Sequence, residues 1–221
     1  MPVAKRLPLI TWASHVAKWK DCRACPLCTQ RDRIVLARGT VPCDLLFVGE
    51  APGASEDARG LPFDGPAGRV LDCGDNENPG IIQRSVPPGV TYAMTNLVCC
   101  FPRDAKMFTD NHEPSYEEII ACRKRLVEFV CIARPKLIVR VGRLATTYAN
   151  YVGARFIDIV HPAAIARMPL AQKQMAVQKA VVVLRNAIED MVSLNYPNFT
   201  ITGDEYAGIT SHSYSESEIP F

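Results

Sequence analysis

Apolar residues along this chain fall either into short unbroken runs or onto single helical faces, and the two patterns alternate. Trp12, Val16 and Trp19 share one face of a segment from Thr11 to Asp21, with Thr11 placed as N-cap, which predicts a helix. Asp44-Leu-Leu-Phe-Val48 is an apolar run ending in Gly49-Glu50-Ala51-Pro52-Gly53, the pattern of a strand covered on both faces. Thr91 to Thr95 predicts a second strand, ending at Asn96. Ser115-Tyr-Glu-Glu118 is a capping box, opening a helix to about Ala133 with Ile119, Cys122, Leu126, Phe129 and Val130 on its apolar face. Leu137 to Val141 predicts a third strand, Gly142 a turn, and Leu144 to Tyr151 a helix. Phe156 to Val160 predicts a fourth strand ending at His161-Pro162, and Ala171 to Leu194 a long last helix. A Gly/Pro-rich loop spans Gly60 to Gly68, with a short helix from about Pro66. Cys73 to Gly89, holding three Pro and three Gly, is expected to be a long loop.

Strands alternating with helices imply an α/β fold, a three-layer α/β/α arrangement around a four-stranded, mainly parallel sheet. Ligands of open α/β sheets bind beyond the carboxyl ends of the strands. Gly49-Glu50, Asn96, Gly142 and His161 all stand at such ends, so four segments converge on one crevice. The expected organisation is one domain over residues 1–194 and a C-terminal tail over residues 195–221.

Composition adds three points. The chain has 221 residues, 48% hydrophobic and 22% charged, with no apolar run of membrane-spanning length. Met1 to Ile10 lacks the apolar stretch of a signal peptide, so the expectation is a cytoplasmic protein without membrane contact; separately, a monomer is expected. Nine cysteines are many for such a chain, and metal or cluster ligation explains them better than disulfides do. Asn195 to Phe221 carries Asp204, Glu205, Glu216 and Glu218 and no Lys or Arg. Against an overall charge of +2, that leaves a surplus of six positive charges on residues 1–194, which suits a polyanionic partner. The tail is poor in aliphatic residues and is expected to build no core of its own.

Five motifs occur in order: Cys22-Arg-Ala-Cys25-Pro-Leu27; Gly49-Glu-Ala-Pro-Gly-Ala-Ser-Glu-Asp57; Gly60-Leu-Pro-Phe63-Asp-Gly65-Pro-Ala-Gly68; Thr95-Asn96 with Cys100; and His161-Pro162-Ala163. From about Cys22 to Arg167 the chain resembles the iron–sulfur (family 4 type) uracil-DNA glycosylases, a branch of the uracil-DNA glycosylase superfamily. The resemblance implies removal of uracil from DNA by hydrolysis of the N-glycosidic bond of a flipped-out nucleotide, leaving an abasic site for base excision repair. It implies that Phe63 stacks on the base, that Asn96 reads its edge, and that His161 hydrogen-bonds the oxygen on which charge develops. Glu50, with Gly49, Ala51, Pro52 and Gly53, would position the water and the sugar-phosphate, and Arg167 would contact DNA. It also implies a 4Fe-4S cluster held by Cys22, Cys25, Cys100 and Cys122, with Cys28 and Cys99 near enough to substitute. Four thiolates equally suit a structural zinc ion. Read without the resemblance, Phe63 is a loop anchor, Asn96 a turn residue and His161 a structural histidine before proline.

The chain also departs from the family. The pattern K-C-R-P-P-x-N-R becomes Cys99-Cys100-Phe-Pro-Arg-Asp-Ala105-Lys106, so a basic residue becomes Cys99 and an Asn becomes Ala105. A DNA-intercalating loop is expected at Ala164 to Met168, with Ile165 or Met168 as wedge. His112 falls near the position of a histidine that bonds covalently to the abasic product in one branch of the superfamily, but the basic run found there is absent. Two other functions fit the residues: a non-catalytic DNA-binding or replication-associated module, and a structural zinc or cluster protein that engages a replication or repair protein through its tail.

Overall fold

A computed structural model of the chain describes residues 10–74, 78–103 and 112–201. Its sheet is built from the apolar runs. Strands β2 (Leu45–Gly49), β3 (Tyr92–Asn96), β4 (Leu137–Val141) and β5 (Phe156–Ile159) are mutually parallel. A fifth, β1 (Arg38–Gly39), pairs antiparallel with β3, giving the order β1-β3-β2-β4-β5. The sheet therefore has five strands rather than four. Two residues carry no alternation by which β1 could have been anticipated.

Within the continuous apolar run of β2 the pleat sends neighbours to opposite faces. Leu46 and Val48 enter a core with Leu126, Val127 and Val130 of α5 (Tyr116–Ala133). Leu45 and Phe47 enter a second core with Val181, Leu184 and Ile188 of α8 (Leu170–Ser193). Helix α1 (Trp12–Trp19) packs on α5, capped by the Thr11 hydroxyl, which accepts from the Ser14 N–H at 3.1 Å. At the start of α5 the Ser115 N–H donates to Glu118 Oε2 at 2.8 Å.

Short helices fill segments expected to be irregular. Helix α4 (Ile81–Ser85) lies inside the expected Cys73–Gly89 loop, because Ile81 and Ile82 are buried against α8 and Gln83 reaches back to the Gly80 N–H at 3.2 Å. Helix α2 (Ala54–Arg59) follows the first glycine motif, while α3 (Pro66–Leu71) and α6 (Arg143–Tyr148) stand where short helices were expected, from Pro66 and after Gly142. Helix α7 (Pro162–Ala166) replaces the expected intercalating loop. Its Ile165 is fully buried in the second core and Met168 is half-buried, so Ile165 does not project as a wedge. No helix among the described residues is long and apolar enough to cross a membrane.

The start of the tail joins the body. The Phe199 N–H donates to the Pro135 carbonyl at 2.7 Å, Phe199 packs against the Tyr151 ring, and Ile201 is buried in the first core. These contacts lie at the amino-terminal side of β4, opposite the strand ends. Residues 202–221, which carry every acidic side chain of the tail, lie outside the described residues.

Leu184 has no solvent exposure and ties α8 to the sheet. Leu184→Ala is expected to cost about 2–5 kcal/mol in urea unfolding; a loss well under 1 kcal/mol would show that α8 packs less tightly than this.

Candidate active site

The register of β2 on β3 sets Gly49 directly beside Asn96. A Cβ at position 49 would stand 2.4 Å from Asn96 Oδ1 and 2.5 Å from Phe63 Cζ, so the glycine is where these two side chains meet. Asn96 and Phe63 are both buried. Phe63 has a left-handed backbone (φ 55°), unusual for a non-glycine residue and therefore in need of support. The support is visible on two sides. Gly68 approaches so closely that a Cβ there would lie 2.0 Å from the Phe63 carbonyl oxygen. Arg38, from β1, donates to the carbonyls of Pro62 at 2.6 Å and Phe63 at 3.1 Å while pairing with Asp72 at 2.7 Å.

Two adjacent buried carboxylates hold the glycine loops. Glu56 accepts from the Gly65 N–H at 2.9 Å through one oxygen and from the Gly53 N–H at 3.2 Å through the other, clamping one loop to the next. Asp57 has no solvent exposure; it accepts from the backbone N–H groups of Asp32 and Arg33 and pairs with Arg103 at 3.3 Å. Both residues fall inside the motif ending at Asp57, yet sequence reasoning gave them no role. The signal was available: two acids in the first turn of a helix behind a glycine N-cap.

The third convergence lies at Gly142 (φ 96°), where a Cβ would stand 2.4 Å from Glu50 Oε1 and 3.0 Å from His161 Cβ. Glu50 accepts from the Leu144 N–H at 3.1 Å, at the start of α6. His161 caps α7, its Nδ1 accepting from the Ala163 N–H at 3.2 Å. Burial lowers the pKa of His161 below the ordinary histidine value, and the opposing attraction of Glu50 does not reverse this. The ring is thus neutral near pH 7. Because Nδ1 is an acceptor, the proton sits on Nε2, which is left as a donor.

These residues open on a cavity of about 780 Å³. Glu50, Ala51, His161 and Arg167 line it, together with His112, Arg143 and Lys179. Gly49, Asn96 and Phe63 do not; they are packed on one another at the adjoining end of β2. Pro52 is buried and Gly53 caps α2, so the motif from Gly49 to Gly53 divides between the cavity wall and the loop's anchoring.

A separate pocket gathers cysteines. Cys22, Cys25, Cys28, Cys99, Cys100 and Cys122 all line it, so the expected four are present, and so are both substitutes. Among the described residues no three His, Cys, Asp or Glu side chains stand as a finished metal site. Cys43, Cys73 and Cys131 lie elsewhere, and all nine cysteines are free thiols. Two guanidinium groups face the pocket: Arg31 Nη1 lies 3.1 Å from Cys100 Sγ, and Arg125 Nη2 lies 3.8 Å from Cys122 Sγ. A hydrogen bond with Cys99 pulls the Cys122 thiol down in pKa. Thiols packed together beside cations are the donor set that a thiolate-bound cationic centre needs. Ala105 and Lys106, where the motif departs from the family pattern, lie outside the described residues.

Glu56→Gln would turn an N–H donor towards one of the two backbone N–H groups that the carboxylate accepts from. A loss of about 1–3 kcal/mol is expected in denaturant unfolding, with faster proteolysis between residues 53 and 65. An unchanged midpoint would mean that the clamp is dispensable.

Residues 38–185 match the family model of the uracil DNA glycosylase superfamily. A type-4 uracil-DNA glycosylase of Saccharolobus solfataricus is 35% identical over 129 residues, 58% of this chain and 54% of that protein. One of Sulfurisphaera tokodaii is 36% identical over 140 residues, 63% of this chain and 58% of that protein. The match therefore spans little more than half the length of these two relatives. One of Archaeoglobus fulgidus is 30% identical over 177 residues, 70% of this chain and 82% of that protein. The matched span holds every residue that builds the strand-end cavity, and the chain belongs to the uracil DNA glycosylase superfamily.

Proposed function

We propose that the chain is a DNA glycosylase that hydrolyses the N-glycosidic bond of deoxyuridine in DNA, releasing uracil and leaving an abasic site. The observation that carries this reading is the fixed tautomer of His161. A neutral, half-buried imidazole on the cavity wall, with its proton on Nε2, is a preorganised donor for the uracil oxygen on which negative charge builds as the bond breaks. Glu50, held by the Leu144 N–H, offers its second oxygen to orient the water, with Ala51 beside it. Asn96 supplies a donor and an acceptor for the uracil edge, and Phe63 the stacking face. Since the two meet at Gly49, the flipped base enters by parting them. Arg167 on the cavity wall contacts the phosphate backbone.

The cysteine pocket would hold a 4Fe-4S cluster through Cys22, Cys25, Cys100 and Cys122. When bound, such a cluster would tie the N-terminal segment to α5, in a pocket that shares no lining residue with the strand-end cavity. Arg31 places a cation against Cys100, where the family pattern has a basic residue in sequence. A chain purified without oxygen is expected to contain about four irons and absorb near 400 nm; a colourless chain with one zinc would contradict the cluster and leave the thiolate site.

A single-stranded oligonucleotide with one uracil, followed by alkaline cleavage at abasic sites, tests the activity. The parent chain should cleave without added metal, and His161→Ala should lose about 10²–10³ in rate. A parent that releases no uracil overturns the reading in favour of a non-catalytic DNA-binding module. The lowered pKa also fixes the pH dependence. The neutral ring caps α7 and holds its tautomer above the ordinary histidine value of about 6.5, and both are lost as pH falls through the depressed folded value. The rate should therefore be level from neutral pH down past about 6.5 before it falls. A decline already centred on neutral pH would contradict the assignment.

A further inference from the structure

One buried cation joins the cysteine pocket to the end of β3. Arg125, on α5, is 1% exposed. Its Nη1 donates to Thr95 Oγ1 at 2.8 Å, and its Nη2 donates to the carbonyls of Asn96 at 2.5 Å and Leu97 at 2.9 Å. The same Nη2 faces Cys122 Sγ at 3.8 Å, and Nε finds no acceptor. Thr95 in turn donates its hydroxyl to the Leu36 carbonyl at 2.7 Å. Among the described residues no carboxylate pairs with Arg125.

A buried guanidinium without a counter-charge is strongly disfavoured, and carbonyl dipoles balance it only in part. The remaining candidates are the sulfurs of the pocket, Cys122 and its neighbour Cys99. The cation thus has two attachments: the charge of whatever the cysteines hold, and the carbonyls of Asn96 and Leu97. Those carbonyls belong to Asn96, the last paired residue of β3, and to Leu97, which follows it out of the strand.

We propose that Arg125 is a positioning residue that couples the metal centre held by the cysteines to the seating of Asn96. Negative charge in the pocket holds the guanidinium, and the guanidinium clamps the backbone that aims the Asn96 side chain at Gly49. Such coupling is reciprocal: removing the clamp must weaken the pocket's hold on its metal, and emptying the pocket must loosen the end of β3. The proposal rests on the strand-end site being where uracil is read. A purely structural Arg125, satisfying carbonyls at an irregular turn, would lower stability without linking the two sites.

The test uses the full chain, purified anaerobically with its metal, as the parent, Arg125→Met and Arg125→Lys. Lysine keeps the charge but loses the two-pronged geometry. Three quantities are measured: loss of iron or zinc to a chelator, amide hydrogen exchange over residues 92–101, and kcat and KM on uracil-containing single strands. Arg125→Met is expected to lose metal about tenfold faster, to exchange faster over residues 92–101 but not over β4, and to lose about tenfold in kcat with KM little changed. Arg125→Lys should recover most of the metal retention but not kcat, because one ammonium cannot hold both carbonyls and Thr95. Parent-like metal loss and exchange in Arg125→Met overturns the coupling, as does a parent that holds no metal. If Arg125→Met does not fold, parent-like exchange and kcat in Arg125→Lys overturn it instead. A parent inactive on uracil would defeat the proposed activity, while metal loss and exchange still decide the coupling.

Discussion

The candidate site depends on one steric fact: where β2 ends beside β3, the residue has no side chain. Parallel pairing puts Gly49 next to Asn96, and the space that a Cβ would take is shared by the Asn96 amide and the Phe63 ring. Everything nearby serves that meeting. Phe63 reaches it only through a left-handed backbone, which Arg38 and the bare α-carbon of Gly68 hold in place. Asn96 reaches it because Arg125 grips the backbone on its far side. The same device recurs on β4, where Gly142 makes room for Glu50 and brings it to His161.

Holding irregular chain at buried strand ends is costly unless its N–H and C=O groups find partners. Here the partners are ionised side chains that sit outside the cavity. Glu56 and Asp57 accept backbone N–H groups from four residues between them, and Arg125 donates to two carbonyls. A division of labour results. Buried charges outside the cavity set the backbone, and the groups lining it (Glu50, His161, Arg167) keep free polar atoms for a ligand.

How much of this was legible in the sequence followed from how local each cause is. Strands β2, β3 and β4 are visible as apolar runs because both sheet faces are covered there, β5 at the edge keeps only Phe156, Ile157 and Ile159 around an exposed Asp158, and α5 is announced by the reciprocal Ser115–Glu118 cap. Helix α4 was hidden because its reason for forming, Ile81 and Ile82 meeting α8, lies about a hundred residues away in a segment rich in Pro and Gly. The strand-end placement of Gly49, Glu50, Asn96 and His161 could be read from position alone. Their split between a cavity wall and a buried cluster could not, since it depends on the φ of Phe63. Arg125 gave no sign at all: one arginine on an amphipathic helix reads as solvated until the fold turns it inward. The four cysteines that the family resemblance implies all reach one pocket, but so do Cys28 and Cys99, because a short turn and a strand-end loop bring thiols together at any of several spacings.

The central claim, that uracil is read at Gly49 between Asn96 and Phe63, is tested most directly by binding without chemistry. The probe is a single-stranded oligonucleotide carrying one 2′-fluoro-2′-deoxyuridine, which resists cleavage, compared with the same strand carrying thymidine. Gly49→Ala would displace both side chains while leaving Glu50, His161 and Arg167 in the cavity. The account predicts that the parent prefers the uracil strand at least tenfold, a difference of about 1.4 kcal/mol, and that Gly49→Ala binds both strands alike with the weaker affinity. A Gly49→Ala chain that folds and keeps the full preference would place base recognition elsewhere.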